Sequence, residues 1–351
     1  MLRFLASLVV TLGLAGVSLG DVAWDNGAAG DNSWLNPTNW DGDVLPTSSV
    51  KAVIGLSSPD APIVDAIGAI SADTEVGVGG VGELNIVSGG ELEVDQLSIG
   101  RSFDGTVNIS GGTLMTRGAP QGGNGQIIFG DGENGEHGQL NMTGGLVIAN
   151  SSVYLGFNLD TTAHMQLDGG VFSMPVSTGL YVNSPPTNPF DPRCDDGGNG
   201  TCGSGTIDLA GGMVSVIGDQ TAQFLYYHPI ETGRTTGYNQ TTIARLYYDA
   251  SIDRTRLTGW LPGDIDSDTN VDGNDFLLWQ QNFEVPASFN PHVWTPGDEN
   301  RDRDVDSADL AIWQNNFGNT DLPPALHAVP EPSALILLLT AAAMACGWRK
   351  Q

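Results

Sequence analysis

Residues 82–92 read Gly-Glu-Leu-Asn-Ile-Val-Ser-Gly-Gly-Glu-Leu, and residues 105–114 repeat the phrase as Gly-Thr-Val-Asn-Ile-Ser-Gly-Gly-Thr-Leu. Apolar and polar residues alternate up to a pair of glycines, which is the period of a half-buried β-strand that ends in a turn. Variants of the phrase return in residues 138–147, 163–171 and 205–213. Because one phrase recurs along the chain, the sequence predicts a β-repeat protein.

The spacing of the repeats suggests an architecture. The glycine pairs begin at Gly89, Gly111, Gly144, Gly169 and Gly211, so 22, 33, 25 and 42 residues separate them. Short strands broken by glycine turns bury one face only by stacking on neighbours, and a parallel β-helix accommodates loops of variable length on one side. A β-sandwich also uses short strands but would not repeat one phrase five times. We therefore expect a mainly β protein, with a right-handed parallel β-helix (solenoid) over residues 21–262.

The ends of this region differ from its middle. Residues 22–54 contain three tryptophans, resemble the opening of autotransporter-type repeat proteins and are expected to cap the first coil. Residues 220–260 lack the glycine phrase and contain aromatic stretches at 224–227 and 246–248, which predicts a second cap. Caps cover sheet edges that would otherwise pair with other chains.

Two acidic loops lie 34 residues apart near the C-terminus, at residues 264–275 and 298–309. Oxygen-bearing side chains occupy loop positions 1, 3, 5, 9 and 12, and position 7 offers its backbone carbonyl, which is the pattern of a twelve-residue loop around a hard cation. Calcium takes six or more oxygen ligands, whereas magnesium prefers a smaller octahedral shell that keeps several waters. The sequence predicts two calcium sites, formed by Asp264, Asp266, Asp268, Asn270, Asp272 and Asp275, and by Asp298, Asn300, Asp302, Asp304, Asp306 and Asp309.

The loops depart from the usual pattern at position 6, where Thr269 and Arg303 replace the glycine that adopts a positive φ. We expect some strain and weaker binding from this difference. A helical phrase follows each loop, with apolar residues at Phe276, Trp279 and Phe283 in the first copy. That spacing forms one apolar stripe per helix, which we expect to pack as a core rather than to serve as a binding surface.

The two loop–helix copies, with aspartate at position 12, resemble a type I dockerin over residues 263–322. This resemblance implies a small α-helical, EF-hand-like module that binds calcium and docks to a cohesin-like or other surface protein. The contacts would be made at loop positions 10 and 11, which are Gly273–Asn274 and Ser307–Ala308. Because the copies differ there, we do not expect symmetric two-way docking.

Both termini have the pattern of targeting signals. Residues 1–20 combine a basic start with an apolar run, as in a secretory signal peptide, with cleavage expected before Asp21. Residues 323–351 contain Val-Pro-Glu-Pro, a short apolar segment and a basic end, and resemble the PEP-CTERM sorting signal of Gram-negative bacteria. This resemblance implies an exosortase-type processing enzyme acting near Pro330, Glu331 and Pro332. The alternative is a plain C-terminal membrane anchor, although 14 apolar residues span only about 21 Å of a roughly 30 Å hydrocarbon core.

These signals predict secretion by the general route, transient retention in the inner membrane and final placement at the cell surface or in the extracellular matrix. Cys194 and Cys202 are then disulfide candidates, whereas in a reducing compartment they would be spare thiols. The formal charge of −28 disfavours binding to nucleic acid and to anionic membranes.

The sequence singles out no catalytic residues. The arginines are scattered without a spacing that aligns them with a carboxylate, and the acidic residues of the repeat form no recognisable pair for glycoside hydrolysis. We therefore expect a non-enzymatic structural or adhesion protein, whose β-helix presents an acidic surface and whose calcium-loaded module mediates attachment or assembly. The alternative is an extracellular polysaccharide-binding or polysaccharide-degrading β-helix tethered by the same module.

Overall fold

The computed structural model describes most of the chain between residues 20 and 320. The described ranges are 20–28, 30–55, 60–118, 124–132, 135–158, 160–176, 179–182, 203–221, 235–237, 242–259, 261–266, 270–284, 296–300 and 304–320. Several residues of the predictions lie outside these ranges: residues 1–19 of the predicted signal peptide, Cys194, Cys202, Asp268, Thr269, Asp302, Arg303 and the predicted sorting tail.

The chain divides into two compact units, which we call the N-terminal unit (to Gly259) and the C-terminal unit (from Trp260). The strands of the N-terminal unit are β1 (Val22–Ala23), β2 (Ala52–Ile54), β3 (Ile63–Val64), β4 (Ala69–Ile70), β5 (Asp73–Val76), β6 (Gly82–Ile86), β7 (Glu91–Val94), β8 (Gln96–Ile99), β9 (Gly105–Thr116), β10 (Ile127–Phe129), β11 (His137–Ile148), β12 (Val153–Leu155), β13 (Thr162–Met174), β14 (Leu180–Val182), β15 (Ser204–Leu209), β16 (Met213–Ile217), β17 (Thr235–Gly237), β18 (Thr242–Asp249) and β19 (Arg254–Gly259). Two short 3-10 helices, Pro37–Asn39 and Asp41–Asp43, follow β1. The α-helices described in the C-terminal unit are α1 (Gly273–Asn282) and α2 (Ser307–Asn316).

The strands form two sheets. The first has seven parallel strands in the order β1-β2-β5-β8-β10-β12-β14. The second has twelve strands, in which β3, β6, β9, β11, β13 and β15 pair in parallel, and β4 and β7 pair beside them. At its other end β17, β18, β19 and β16 are joined by antiparallel pairings, so this sheet is mixed.

The mainly β content is confirmed, but the prediction of a right-handed parallel β-helix followed by an EF-hand-like module is wrong. One sheet is parallel and the other is mixed, and they do not form a solenoid. The antiparallel pairings arise where the glycine phrase is missing, because the turn at residues 250–253 reverses the chain between β18 and β19. In the described residues of the C-terminal unit there are two helices, one after each acidic loop, which does not define a clear EF-hand module with a helix on both sides of each loop.

The repeated phrase sets the register of the second sheet. Gly82, Gly105 and Gly138 are aligned across β6, β9 and β11, and so are Leu84, Val107 and Leu140. The aligned apolar residues are at most 1% exposed. They share one hydrophobic core with apolar residues of the first sheet, such as Ile99 and Phe129. Each fully buried aliphatic side chain contributes roughly 1.5–3 kcal/mol, so the alternation supplies most of the driving force for this unit.

The polar positions of the phrase form a ladder of amides on the opposite side of the second sheet. Asn108 Nδ2 donates to Asn85 Oδ1 at 3.0 Å, and Asn141 Nδ2 donates to Asn108 Oδ1 at 2.8 Å. Gln166 and Asp208 occupy the next places in the register. These bonds tie neighbouring strands together and give the recurrent asparagine of the phrase a structural role.

Three tryptophans close the core near β1. The indole ring of Trp40 lies 5.2 Å from that of Trp24 and 4.7 Å from that of Trp34, both edge-to-face. Trp40 Nε1 donates to the Trp34 carbonyl at 2.8 Å, and Trp24 Nε1 donates to the Asp60 carbonyl at 2.9 Å. All three rings are at most 2% exposed, and the indole N–H groups of Trp24 and Trp40 are hydrogen-bonded as buried indoles require.

We expect Gly77→Ala to destabilise the N-terminal unit by about 2–4 kcal/mol. Gly77 has φ +88°, and a Cβ there would overlap the carbonyl oxygen of Phe103. The matched control is Gly68→Ala, because Gly68 also has a positive φ (+102°) but a Cβ there would meet nothing within 4 Å. The control should cost only the conformational strain of about 1–2 kcal/mol. Equal losses for both variants in denaturant unfolding would contradict the close approach at Gly77.

Candidate metal centre

The acidic loops of the C-terminal unit end in helix caps. Asp272 precedes α1 and accepts a hydrogen bond from the backbone N–H of Asn274 at 2.7 Å, while Asp275 bonds back to the cap in a capping box. Asp306 and Asp309 form the same box at the start of α2. Loop positions 9 and 12 therefore begin a helix in each copy, since an acidic side chain satisfies N–H groups that a helix start leaves unpaired.

The carboxylate at position 12 organises the first loop. Asp275 Oδ1 accepts from the backbone N–H groups of Ile265 at 2.6 Å and Asp266 at 3.1 Å, and Oδ2 accepts from that of Asp272 at 2.7 Å. Asp275 has no exposed surface. One buried carboxylate thus holds both ends of the loop through three backbone N–H donors.

The second loop repeats this arrangement almost atom for atom. Asp309 Oδ1 accepts from the backbone N–H groups of Glu299 at 2.7 Å and Asn300 at 3.0 Å, and Oδ2 accepts from that of Asp306 at 2.8 Å. Asp309 is also fully buried. The matching loop sequences therefore produce matching geometry.

In the first loop, three of the predicted ligands come together. Asp264, Asp266 and Asp275 each offer a carboxylate oxygen, and these oxygens lie within 4.8 Å of one another. Asp264 and Asp275 are buried, whereas Asp266 is exposed. Three carboxylates at this separation can hold a metal ion, and their mutual repulsion favours a cation between them.

The second loop offers a different donor set. Position 3 is Asn300, an amide, so the described side chains include no third acid to match Asp266. Asp298 (6% exposed) and Asp309 remain buried at positions 1 and 12. An amide oxygen is also a suitable ligand for a hard cation. Four other predicted ligands are described. Asn270 forms an isolated β-bridge with Thr320, and Asp304 is exposed. Asp272 and Asp306 cap the two helices.

The two copies interlock. Trp279 Nε1 of α1 donates to the carbonyl of Asp306 in the second loop at 2.9 Å, and Trp313 Nε1 of α2 donates to the carbonyl of Asp272 in the first loop at 2.8 Å. Trp279 packs in a small core with Ile265 and Val305. Each helix therefore supports position 9 of the other copy's loop. The apolar stripe of each helix was predicted to pack as a core, but the last residue of each stripe is exposed. Phe283 is 41% exposed and Phe317 is 59% exposed.

Glu299, which the sequence analysis did not single out, is the main polar group that the structure adds to this centre. Its side chain is 4% exposed, and Oε2 accepts from the backbone N–H of Gly263 at 2.7 Å. The corresponding residue of the first copy is Ile265, which is 2% exposed. The available sequence signal was the contrast between an acid and an aliphatic residue at position 2 of otherwise similar loops.

A second polar cluster lies on the seven-stranded sheet and was also missed. Lys51 Nζ lies 3.0 Å from Glu75 Oε1, Arg101 Nε lies 3.5 Å from the same oxygen, and Arg101 Nη1 lies 3.1 Å from Asp131 Oδ2. Ser98 Oγ donates to Asp131 Oδ2 at 3.0 Å. Sequence spacing did not align an arginine with a carboxylate, but strand pairing does. Because each carboxylate contacts a cation, the cluster is best explained as a cross-strand ion row.

Burial raises the pKa of the Asp131 carboxyl above its ordinary value, while the nearby Arg101 guanidinium and the Ser98 hydrogen bond pull the pKa back down. A carboxyl with a raised pKa in the folded state opposes folding when it is ionised. Its contribution to stability therefore improves as the pH falls through the folded pKa, and the gain is complete below the unfolded pKa.

Two histidines named by no metal or catalytic pattern have structural partners. His137 Nδ1 lies 2.8 Å from Thr162 Oγ1, and His164 Nδ1 lies 2.8 Å from Thr206 Oγ1, so both rings bridge adjacent strands.

Within the described ranges, no helix is both long and apolar enough to cross a lipid bilayer. Comparison with protein-family models, with curated proteins and with solved structures finds no match to the chain.

We expect Asp275→Ala to open the first loop even without metal, because three backbone N–H groups would lose their acceptor at about 1–3 kcal/mol each. Amide hydrogen exchange at Ile265 and Asp272 in the full chain measures this effect. Asp304→Ala is the control, since the Asp304 side chain is exposed and lies in the other loop. Unchanged exchange at Ile265 in the Asp275 variant would show that the carboxylate does not organise the loop.

We expect Arg101→Met to raise the pKa of Asp131 further and to cost about 1–2 kcal/mol of stability at neutral pH, given the partial exposure of the guanidinium. The stability difference from the wild type should shrink as the pH falls and Asp131 becomes protonated. Carbon-13 NMR titration of the carboxyl and chemical denaturation at several pH values test this. Arg101→Lys keeps the charge and should retain most of the wild-type pKa. A fall in the Asp131 pKa in the methionine variant would refute the assignment.

Proposed function

We propose that the C-terminal unit is a calcium-dependent docking module and that the protein is a secreted, surface-associated structural protein. In this proposal the N-terminal unit presents an acidic, rigid surface, and the C-terminal unit attaches it to another surface protein or to the matrix. The observation that carries the proposal is the group of three carboxylate oxygens within 4.8 Å, at positions 1, 3 and 12 of the first loop.

Electrostatics supports a bound cation. Two carboxylates about 5 Å apart repel by roughly 3–4 kcal/mol at an effective dielectric constant near 20, and the first loop gathers three. Asp264 and Asp275 are buried, so water screens this repulsion poorly. A divalent cation offsets it, and at a calcium concentration of 100 times Kd the folded unit would gain about 2.7 kcal/mol.

The donor set supports calcium over other cations. The candidate ligands are carboxylate and amide oxygens with a backbone carbonyl at position 7, which suits hard cations rather than zinc or copper. Magnesium prefers a smaller octahedral shell and keeps several waters, so a loop that offers six oxygen ligands suits calcium better. Calcium would bind in both loops, with Asn300 replacing a carboxylate in the second.

The surface of the C-terminal unit supports docking. Positions 10 and 11 of both loops, Gly273–Asn274 and Ser307–Ala308, are exposed. Leu277, one turn further along α1, is 51% exposed, although the matching residue of α2 is the small Ala311. Leu277 thus offers an apolar contact at a helix position where the second copy has only a small side chain. A partner would therefore engage the first copy, in keeping with the dockerin resemblance and the difference between the copies.

Secretion is the part of the proposal that depends on residues outside the described ranges. Residues 1–20 would direct export, and residues 323–351 would be processed by an exosortase-type enzyme near Pro330, Glu331 and Pro332 before surface display. An extracellular location would also supply free calcium well above cytosolic levels, which the departures at Thr269 and Arg303 require if they weaken binding.

We expect the full chain to capture a surface protein from native extract in calcium and to release it in chelator. The double variant Asp264→Ala, Asp298→Ala should lose both capture and the heat of calcium binding in calorimetry, because each substitution removes a position 1 ligand. Leu277→Ala is the control for docking, since it should weaken capture while leaving calcium binding intact. Undiminished calorimetric binding in the double variant would refute the calcium sites. Capture that persists in chelator would refute calcium-dependent docking.

A further inference from the structure

The buried side chain of Glu299 connects the two cation loops. Glu299 belongs to the second loop, where its backbone N–H donates to Asp309 Oδ1 at 2.7 Å. Its own Oε2 accepts from the backbone N–H of Gly263 at 2.7 Å. Gly263 immediately precedes Asp264, the position 1 ligand of the first loop. Two consecutive hydrogen bonds thus join the position 12 carboxylate of one loop to the entry of the other.

This link is asymmetric between the copies. The residue that corresponds to Glu299 is Ile265, which has no polar side-chain atom and therefore cannot bind the N–H of Gly297 in the same way. Both side chains are buried, so an aliphatic residue is compatible with this position of the fold. Burying a carboxylate there costs several kcal/mol of desolvation before any hydrogen bond offsets it. A costly residue at a place where an aliphatic one fits indicates a role other than packing.

The segment that Glu299 holds has little freedom to move independently. Gly263 has φ +91°, and a Cβ there would lie 3.0 Å from Val271 Cγ1 and 3.1 Å from Trp313 Cα. Val271 is position 8 of the first loop, and Trp313 binds the carbonyl of Asp272 in the same loop. A shift of Glu299 would therefore be transmitted to Gly263 and to the placement of Asp264.

We propose that Glu299 is a positioning residue that couples cation binding at the two loops. A cation in the second loop draws Asp309 and the neighbouring backbone into a fixed position, and Glu299 then fixes the entry of the first loop, where Asp264 is ready to ligate. By linkage, a cation in the first loop strengthens binding at the second by the same factor. This inference rests on the proposed calcium binding. The reciprocal tryptophan bonds supply a symmetric coupling, and Glu299 adds to it.

Calcium titration of the full chain in a double-mutant cycle tests the coupling. Asp298→Ala disables the second loop, and the affinity of the first loop is then compared with and without Glu299→Ile, which installs the residue of the other copy. We expect Asp298→Ala to lower the calcium affinity of the first loop at least about fivefold when Glu299 is present. The decrease should be much smaller when Glu299 is replaced by isoleucine. Glu299→Gln keeps an oxygen acceptor for Gly263 and should restore most of the coupling.

Two controls separate coupling from general destabilisation. Ile265→Val alters packing at the corresponding position of the first copy and should leave the effect of Asp298→Ala unchanged. Amide hydrogen exchange at Gly263 is a direct readout that needs no substitution at Glu299. In an Asp264→Ala chain, where the second loop is the one left intact, calcium should slow exchange at Gly263, whereas in the Asp264→Ala, Asp298→Ala chain it should not.

The possible results distinguish the inference from the function on which it rests. If Asp298→Ala lowers the calcium affinity of the first loop equally with and without Glu299, the coupling role of Glu299 is overturned. The proposed calcium binding would still stand. An amide exchange rate at Gly263 that calcium does not change in the Asp264→Ala chain would also overturn the coupling role. Absence of calcium binding by the wild type would overturn the proposed function and the coupling together.

Discussion

The in-register parallel pairing of β6, β9 and β11 is the constraint on which the N-terminal unit depends. Leu84, Val107 and Leu140 are aligned and buried, while the asparagines next to them hydrogen-bond to one another along the ladder. Since side chains alternate between the two faces of a strand, a shift of one residue would expose every apolar row and bury the amides. In the first sheet, the pairing of β2, β5, β8 and β10 brings together Lys51, Glu75, Arg101 and Asp131, which lie in or next to these strands and form ion pairs.

The C-terminal unit is organised by buried charge rather than by a large apolar core. Asp275 and Asp309 each accept three backbone hydrogen bonds and fix the shape of a loop around themselves. The described core of this unit is small, with Ile265, Trp279 and Val305 fully or nearly buried. A unit with so little apolar burial gains a large share of its stability from a bound ion if one is present. The stability of the C-terminal unit is therefore closely linked to the cation that we propose it binds.

The errors in the sequence analysis have physical causes. The glycine phrase is a local signal, and it located strands correctly, but it contains no information about the segment that lacks it. There β18 and β19 return as an antiparallel pair, and the sheet becomes mixed. The loop pattern located the acidic residues, but it did not show that backbone N–H donors anchor the position 12 carboxylate of each loop. The ion row was missed because Glu75 and Arg101 are 26 residues apart in the sequence and meet only through strand pairing.

The sequence by itself determined the alternating strands, the acidic positions of both loops and the helix that follows each loop, because all three depend on spacing within one strand, one loop or one helical turn. Only the tertiary structure decided that one sheet is mixed, that each tryptophan supports the other copy's loop, and that Glu299 reaches the entry of the first loop. These features depend on contacts between residues that are distant along the chain. Such contacts follow from the simultaneous packing and hydrogen bonding of all the segments, which no local period specifies.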